Sequence, residues 1–210
     1  MNNVRKAVRD AAIGIDIGDT SETLRAIRRS GRAAAIWRRQ PERKFQAWMD
    51  GLDPETLPRA RVILRPEDIG DVVREVCDAA GMTKTPERAV LIDDIVALTD
   101  IFTGIMTSPF VRLRLNAVTT NSCRKFHIDA VTARLVCTYR GTGTQYGIST
   151  DGRDPQRVFT VPTGAPICLR GTEWPDDQIS GLLHRSPPIE GTGETRLVLV
   201  LDPIVDPGEE

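Results

Sequence analysis

The spacing of apolar residues changes near residue 108. Before that point apolar side chains recur at intervals of three and four, as in Phe45, Trp48 and Met49, which is the spacing of one helix face. The predicted elements of this region are a short helix at 21–29, a short strand at 33–37, and helices at 42–52, 66–80 and 85–106. Residues 1–108 are therefore expected to form a mainly helical region.

After Pro109 the period falls to two. Arg112, Arg114 and Asn116 alternate with apolar residues, so the two sets point to opposite faces of a strand. The strand candidates are 110–118, 131–139, 145–148, 157–161, 165–169, 182–184 and 196–201. The segments between them are rich in turn-forming residues, and no helical pattern interrupts them. Residues 109–204 are thus predicted to form a β-sandwich or barrel, followed by a disordered tail at 205–210.

The chain contains only two histidines, His127 and His184, and both fall in the β region. His127 and Asp129 are two residues apart, so on an extended chain their side chains point to the same face. Two imidazoles and one carboxylate on one face of an octahedral metal leave three positions open, which is the arrangement of non-haem Fe(II) oxygenases. We therefore predict that His127, Asp129 and His184 bind a metal.

Two further residues near this set bear on its chemistry. Arg196 begins an apolar strand, where its guanidinium requires an anionic partner because a buried unpaired charge is costly. That partner is either a carboxylate ligand, which the planar fork fits, or a neighbouring acid such as Glu194. Cys123 precedes His127 by four residues and could add a thiolate to a zinc site, although a lone cysteine beside a strand is more often a small buried residue.

His127-x-Asp129, the distal His184 and the downstream Arg196 resemble the Fe(II)/2-oxoglutarate-dependent dioxygenase superfamily over residues 110–202. The resemblance implies an α+β fold, in which a C-terminal double-stranded β-helix (a jelly-roll or cupin-like barrel) is buttressed by the helical N-terminal half. It also implies that the three ligands bind Fe(II) and that Arg196 holds the far carboxylate of 2-oxoglutarate. Asn116 corresponds to a co-substrate-binding asparagine of the nucleic-acid-repair members.

Tyr139 is a third candidate for the co-substrate pocket, beside Arg196 and Asn116, although a tyrosine in a strand is more often a core residue. No catalytic residue is expected outside the metal site. The expected small-molecule partner is 2-oxoglutarate, and the sequence does not identify the oxidised substrate.

A second and closer resemblance covers most of the chain. The segments 123–135 and 183–188 are similar to those of a bacterial domain family of unknown function, whose genes often lie in zinc-responsive clusters beside metal-chaperone GTPases. This resemblance implies an alternative, a non-catalytic zinc-binding protein of zinc homeostasis that uses the same His/Asp/His site and has a metal chaperone as a partner. A structural β domain without metal is the third interpretation.

Composition narrows the function classes. The 28 basic and 29 acidic residues give a net charge of −1, whereas a nucleic-acid-binding domain has a strong basic excess. No segment approaches the ~20 apolar residues of a membrane span. The four cysteines are scattered without a close pair, which is typical of a reduced compartment. We therefore expect a cytoplasmic protein without nucleic-acid or membrane partners.

Overall fold

The computed structural model describes residues 7–208. Its ten strands, in chain order, are β1 (Gly14–Gly18), β2 (Arg32–Trp37), β3 (Ala60–Leu64), β4 (Phe110–Val118), β5 (Ala133–Arg140), β6 (Gln145–Ile148), β7 (Phe159–Thr160), β8 (Pro166–Arg170), β9 (Leu182–Arg185) and β10 (Arg196–Ile204). The three α-helices are α1 (Arg43–Gly51), α2 (Ile69–Ala79) and α3 (Pro86–Met106). Short 3₁₀ helices cover Ser21–Arg28, Pro54–Thr56 and Pro66–Asp68.

The strands form two sheets. The larger has seven strands in the order β1-β2-β8-β5-β10-β4-β3, and the smaller has three in the order β7-β6-β9. The long strand β10 lies between β5 and β4 and pairs antiparallel with both. Neighbours in the larger sheet are antiparallel except β1 and β2, which are parallel.

The longest helix has clear start and stop signals. The side chain of Thr85 accepts a hydrogen bond from the backbone N–H of Arg88 at 3.2 Å, and Pro86 occupies the first turn, where a missing N–H costs nothing. The helix ends at Met106, and the next residue, Thr107, has a left-handed φ of 54°. Helix α3 contacts both β10 and β4, so it covers one face of the larger sheet.

The two faces of the larger sheet belong to different apolar cores. One core lies between this sheet and the helices, and the other lies between the two sheets. β4 shows the division, because every second residue is buried toward the helices. These buried residues are Val111, Leu113, Leu115 and Ala117. Arg112, Arg114 and Asn116 therefore point to the opposite face, called the inner face below.

The N-terminal region requires a correction. Besides α1, α2 and α3, it supplies β1, β2 and β3 to the seven-stranded sheet, so residues 1–108 are not a separate helical layer. The pattern at 33–37 indicated one of these strands. The other two were missed because they are edge strands of only five residues each.

Two expectations concern the ends of the chain and the membrane. Part of the predicted disordered tail, residues 209–210, lies outside the described residues. None of the helices within residues 7–208 is long and apolar enough to cross a membrane.

Candidate metal centre

The two histidines face each other on adjacent stretches of chain. His184 lies in β9 opposite Tyr146 of β6. On its other side it forms an isolated antiparallel bridge with His127, closed by two backbone hydrogen bonds of 3.0 Å between the two residues. The imidazole centroids are consequently 4.5 Å apart. Residues separated by almost sixty positions in the sequence thus become cross-strand neighbours.

The backbone of Asp129 is held against the end of β8. Its carbonyl accepts a hydrogen bond from Thr172 N at 2.9 Å. The chain passes so close that a Cβ at Gly171 would lie 1.7 Å from the carbonyl oxygen of Val131, so only glycine fits there. This close approach fixes the position from which the Asp129 side chain reaches the two imidazoles.

The ligand atoms of His127, Asp129 and His184 all lie within 4.8 Å of one another. His184 Nε2 is 3.0 Å from Asp129 Oδ2, and His127 Nε2 is 3.3 Å from Asp129 Oδ1. His127 Nδ1 is 2.8 Å from the carbonyl oxygen of Lys125. Because that nitrogen then carries the hydrogen, Nε2 keeps its lone pair for a cation, as is usual for metal-binding histidines.

The charges of Asp129 and His184 suit a cation. Metal binding needs neutral imidazoles and an ionised carboxylate. Burial lowers the pKa of His184, which favours its neutral form. Burial by itself would raise the pKa of Asp129, but its contacts with His127 and His184 outweigh burial and hold that pKa well below its usual range. The contact with Asp129 in turn raises the pKa of His127, which favours its protonated form, so a bound cation would have to displace that proton.

One atom of the set lacks a partner. Asp129 Oδ2 is buried, and it accepts no well-directed hydrogen bond despite its closeness to His184. A buried carboxylate oxygen in this condition is costly, and a cation bound at it would remove the cost. Two imidazole nitrogens and a carboxylate oxygen are ligands that suit Fe(II) and also Zn²⁺. The residues therefore fit a divalent metal.

A network of charged side chains supports Asp129 from the inner face of the larger sheet. Arg134 of β5 contacts Asp129 Oδ1 and also binds Asp202 of β10 through two hydrogen bonds of 2.6 and 2.9 Å. Asp202 is almost fully buried and also pairs with Arg114. Sequence reasoning missed the roles of Arg134 and Asp202. The available signal was the same as for Arg196, a charge within an apolar strand.

Arg196 lies at the start of β10, on the same face as Val198, and is buried. Its Nε donates to the carbonyl oxygen of Thr142 at 2.6 Å, and a terminal nitrogen lies 3.4 Å from the Thr138 hydroxyl. Burial lowers its pKa to about 10, while nearby Glu194 opposes that change. Within residues 7–208 no ion pair joins Arg196 to a carboxylate, and it does not contact the metal triad.

The other two co-substrate candidates lie on different faces. Asn116 lies on the inner face of β4, opposite Val198 of β10. Tyr139, by contrast, points toward the helices, where its hydroxyl donates to Asp94 Oδ2 at 2.7 Å. The assignment of Tyr139 to the co-substrate pocket is corrected on this ground, because the sheet separates its side chain from the triad.

Cys123 lies near the triad without joining it. It is exposed and lines, with Arg124, Lys125 and His127, a cleft of about 370 Å³. Among the described residues, the one group of three or more side chains with metal-ligand spacing is the triad itself, without this thiol. Ligation by Cys123 therefore finds no support in this geometry.

The fold is similar to those of solved dioxygenases, whereas no curated protein matches the chain in sequence. The dioxygenase for auxin oxidation 1 from Arabidopsis thaliana, in its binary complex with 2-oxoglutarate, aligns with a TM-score of 0.53 and 10% identity over 92% of this chain and 93% of that one. The rice dioxygenase for auxin oxidation gives 0.52 and 12% identity over 94% and 87%. At such identities the likeness shows the fold alone.

The match to a family model is independent of these structures. The model described as a protein of unknown function, DUF1826, covers residues 18–202. That span contains every strand of the two sheets except parts of β1 and β10, and it includes His127, Asp129 and His184. The match extends over far more than half of the chain. This chain therefore belongs to the DUF1826 family.

Proposed function

We propose that this protein is an Fe(II)- and 2-oxoglutarate-dependent oxygenase built on a double-stranded β-helix. The observation that carries the proposal is the convergence of His127, Asp129 and His184 on one point, with a buried Asp129 oxygen left without a hydrogen bond. The likeness to dioxygenases of this class supports it at the level of the fold.

Each residue of the triad has a distinct task. His184, buried and kept neutral, supplies a nitrogen from inside the protein, while the partly exposed His127 supplies one at the opening. Asp129 supplies the negative charge, and Arg134 fixes the orientation of its carboxylate. A metal held on one face in this way would provide open positions for a co-substrate and O₂, and with them the oxidising chemistry of the class.

Arg196 is proposed to bind the far carboxylate of 2-oxoglutarate. Its guanidinium is buried yet bonded only to neutral oxygens, those of Thr142 and Thr138. A carboxylate beside it would neutralise the buried charge and accept hydrogen bonds from the remaining N–H groups of the guanidinium. Asn116, on the same inner face, remains a predicted further contact to the co-substrate.

The test is thermal unfolding under anaerobic conditions with Mn(II) in place of Fe(II), with and without 2-oxoglutarate. A ligand at 100 times its dissociation constant stabilises the folded state by about 2.7 kcal/mol, which corresponds to about 5–10 °C in a chain of this length. We expect Mn(II) and 2-oxoglutarate together to give the largest shift. Arg196→Met should weaken 2-oxoglutarate binding about 10- to 100-fold while the shift with Mn(II) alone persists.

Arg28→Met is the matched control, because this guanidinium also donates to a backbone carbonyl, that of Ile105 on the helix side. It should leave the 2-oxoglutarate effect intact. The oxygenase proposal would be contradicted if Zn(II) raised the unfolding temperature and 2-oxoglutarate had no additional effect, in wild type and in Arg196→Met. That result would favour the zinc-homeostasis alternative and justify a search for a metal-delivery partner.

A further inference from the structure

Four arginines lie together on the inner face of the larger sheet, beside the metal triad. Strand register brings them together: Arg61 of β3 is opposite Arg114 of β4, and Arg112 of β4 is opposite Asp202 of β10. Arg134 of β5 joins them through its bonds to Asp202. We call this set the inner arginine group; its members are Arg61, Arg112, Arg114 and Arg134.

The carboxylates bound to this group are already shared. Asp202, with only 1% of its surface exposed, accepts hydrogen bonds from both Arg134 and Arg114. Asp129 is the second acid, and it is the proposed metal ligand. When a divalent cation binds Asp129, that carboxylate can no longer offset the charge of Arg134 to the same extent. The net charge around Arg134 then becomes more positive, and an unbalanced charge is costly in a buried site.

Arg114 is the member with unused hydrogen-bonding capacity. It pairs with Asp202 Oδ2 through one terminal nitrogen, at 2.8 Å. Its Nε is buried and has no hydrogen-bond partner, whereas about a fifth of the side chain is exposed. The Arg114 side chain is therefore partly exposed while its buried Nε stays unsatisfied, which costs free energy until an acceptor arrives.

Arg114 and Arg196 lie at separate places on the sheet. In the register of β4 and β10, Arg114 is opposite Val200 and Arg196 is opposite Val118. Four residues of extended chain, about 13 Å, separate these positions. A small co-substrate whose far carboxylate is bound to Arg196 would therefore leave Arg114 for a different anion.

We propose that the primary substrate is an anionic small molecule and that Arg114 binds its carboxylate or phosphate group, with Arg61, its cross-strand neighbour, adding positive charge. This inference rests on the proposed function, because it concerns what the metal site oxidises. It assigns Arg114 to substrate recognition and Arg134 to positioning, since Arg134 is committed to Asp129 and Asp202.

The experiment measures binding of small probes to the protein loaded with Mn(II) and 2-oxoglutarate, by calorimetry under anaerobic conditions. Benzoate and phenyl phosphate distinguish the two anion types, and benzamide is the neutral match of benzoate. We expect one anion to bind wild type at least about tenfold more tightly than benzamide does. Arg114→Met should weaken that anion about 10- to 100-fold, and Arg114→Lys should restore part of the affinity through charge alone.

Arg74→Met serves as the control, because it removes the same charge from an exposed pair with Asp71 on α2 and should leave probe binding unchanged. Near-ultraviolet circular dichroism of each variant reports whether the fold is intact. The inference is overturned if benzamide binds as well as benzoate, if neither anion binds, or if folded Arg114→Met and Arg114→Lys bind the anion like wild type. It is also overturned if Arg114→Met abolishes 2-oxoglutarate binding, since Arg114 would then hold the co-substrate.

The same titration on Zn(II)-loaded protein without 2-oxoglutarate separates the two proposals. If 2-oxoglutarate never binds but an anion still does so in a manner that depends on Arg114, the oxygenase proposal fails and the anion site stands. If 2-oxoglutarate binds with Mn(II) and Arg196 but no anion binds, the oxygenase proposal stands and the anion site fails.

Discussion

Two clusters of buried charge lie on opposite faces of β5, and they differ in how fully their atoms are paired. On the helix side, Arg39 donates to both oxygens of Asp94 at 2.6 and 2.7 Å and to the carbonyl of Gly164 at 2.7 Å, and Tyr139 donates to the same carboxylate. On the inner side, Asp129 Oδ2 and Arg114 Nε are buried without hydrogen-bond partners.

The difference separates a structural ion pair from a ligand site. The helix-side cluster lies beside a cavity of about 310 Å³, yet none of its members has a buried polar atom left over among the described residues. The inner cluster, by contrast, leaves an acceptor and a donor unsatisfied. Since buried unsatisfied groups are rare in folded proteins, the unpaired atoms mark the inner cluster as the candidate ligand site.

Removing Asp94 is expected to have the largest effect. Asp94→Ala leaves the guanidinium of Arg39 without its carboxylate and Tyr139 without its acceptor, so the free energy of unfolding should fall by about 3 kcal/mol. Metal-dependent stabilisation should persist in the folded fraction. Urea unfolding measures both, and Asp71→Ala in the exposed pair with Arg74 is the control, expected to cost no more than about 1 kcal/mol. Equal losses in the two variants would remove the contrast between a buried and an exposed pair.

Removing Asp129 should affect the stability of the metal-free protein less, but it should abolish the stabilisation by metal. Asp129→Ala leaves Arg134 paired with Asp202, so the metal-free protein should lose less unfolding free energy than Asp94→Ala does. The stabilisation by Mn(II), about 2.7 kcal/mol at 100 times the dissociation constant, should disappear. Unfolding with and without Mn(II) provides the measurement. Retention of the Mn(II) effect would show that the cation binds elsewhere.

Removing one hydroxyl from the helix-side cluster should have the smallest effect. Tyr139→Phe deletes the hydrogen bond to Asp94 and keeps the ring in the core, so we expect a loss of about 1 kcal/mol in unfolding free energy. The additional stabilisation by 2-oxoglutarate should be the same as in wild type, because Tyr139 faces away from the triad. A selective loss of the 2-oxoglutarate effect would instead return Tyr139 to the co-substrate pocket.

Local pattern anticipated much of the second half of the chain. The predicted strands at 110–118 and 145–148 coincide with β4 and β6, because strict alternation and flanking turn residues mark a half-buried strand. The helix predicted at 85–106 matches α3 to within one residue, since Thr85 and Pro86 give a strong start signal. The same local signals were too weak for β1 and β3, whose partners lie far along the chain.

Some features of the candidate site could likewise be predicted from the sequence. The types of metal ligand could be predicted because the chain has just two histidines and one of them precedes an aspartate by two residues. The side to which Tyr139 points was also readable, because it has the same parity as Leu135 and Cys137, which are buried toward the helices.

By itself, then, the sequence determined the identity of the ligands, the period-two strands and the ends of α3, because propensity, alternation and capping act over a few residues. Tertiary structure alone decided that His127 pairs with His184, that Arg134 and Asp202 support Asp129, and that Arg114 keeps a free donor. These contacts join distant segments through sheet register and close backbone approach, as at Gly171. Register depends on how the whole set of strands packs, so no local pattern can specify it.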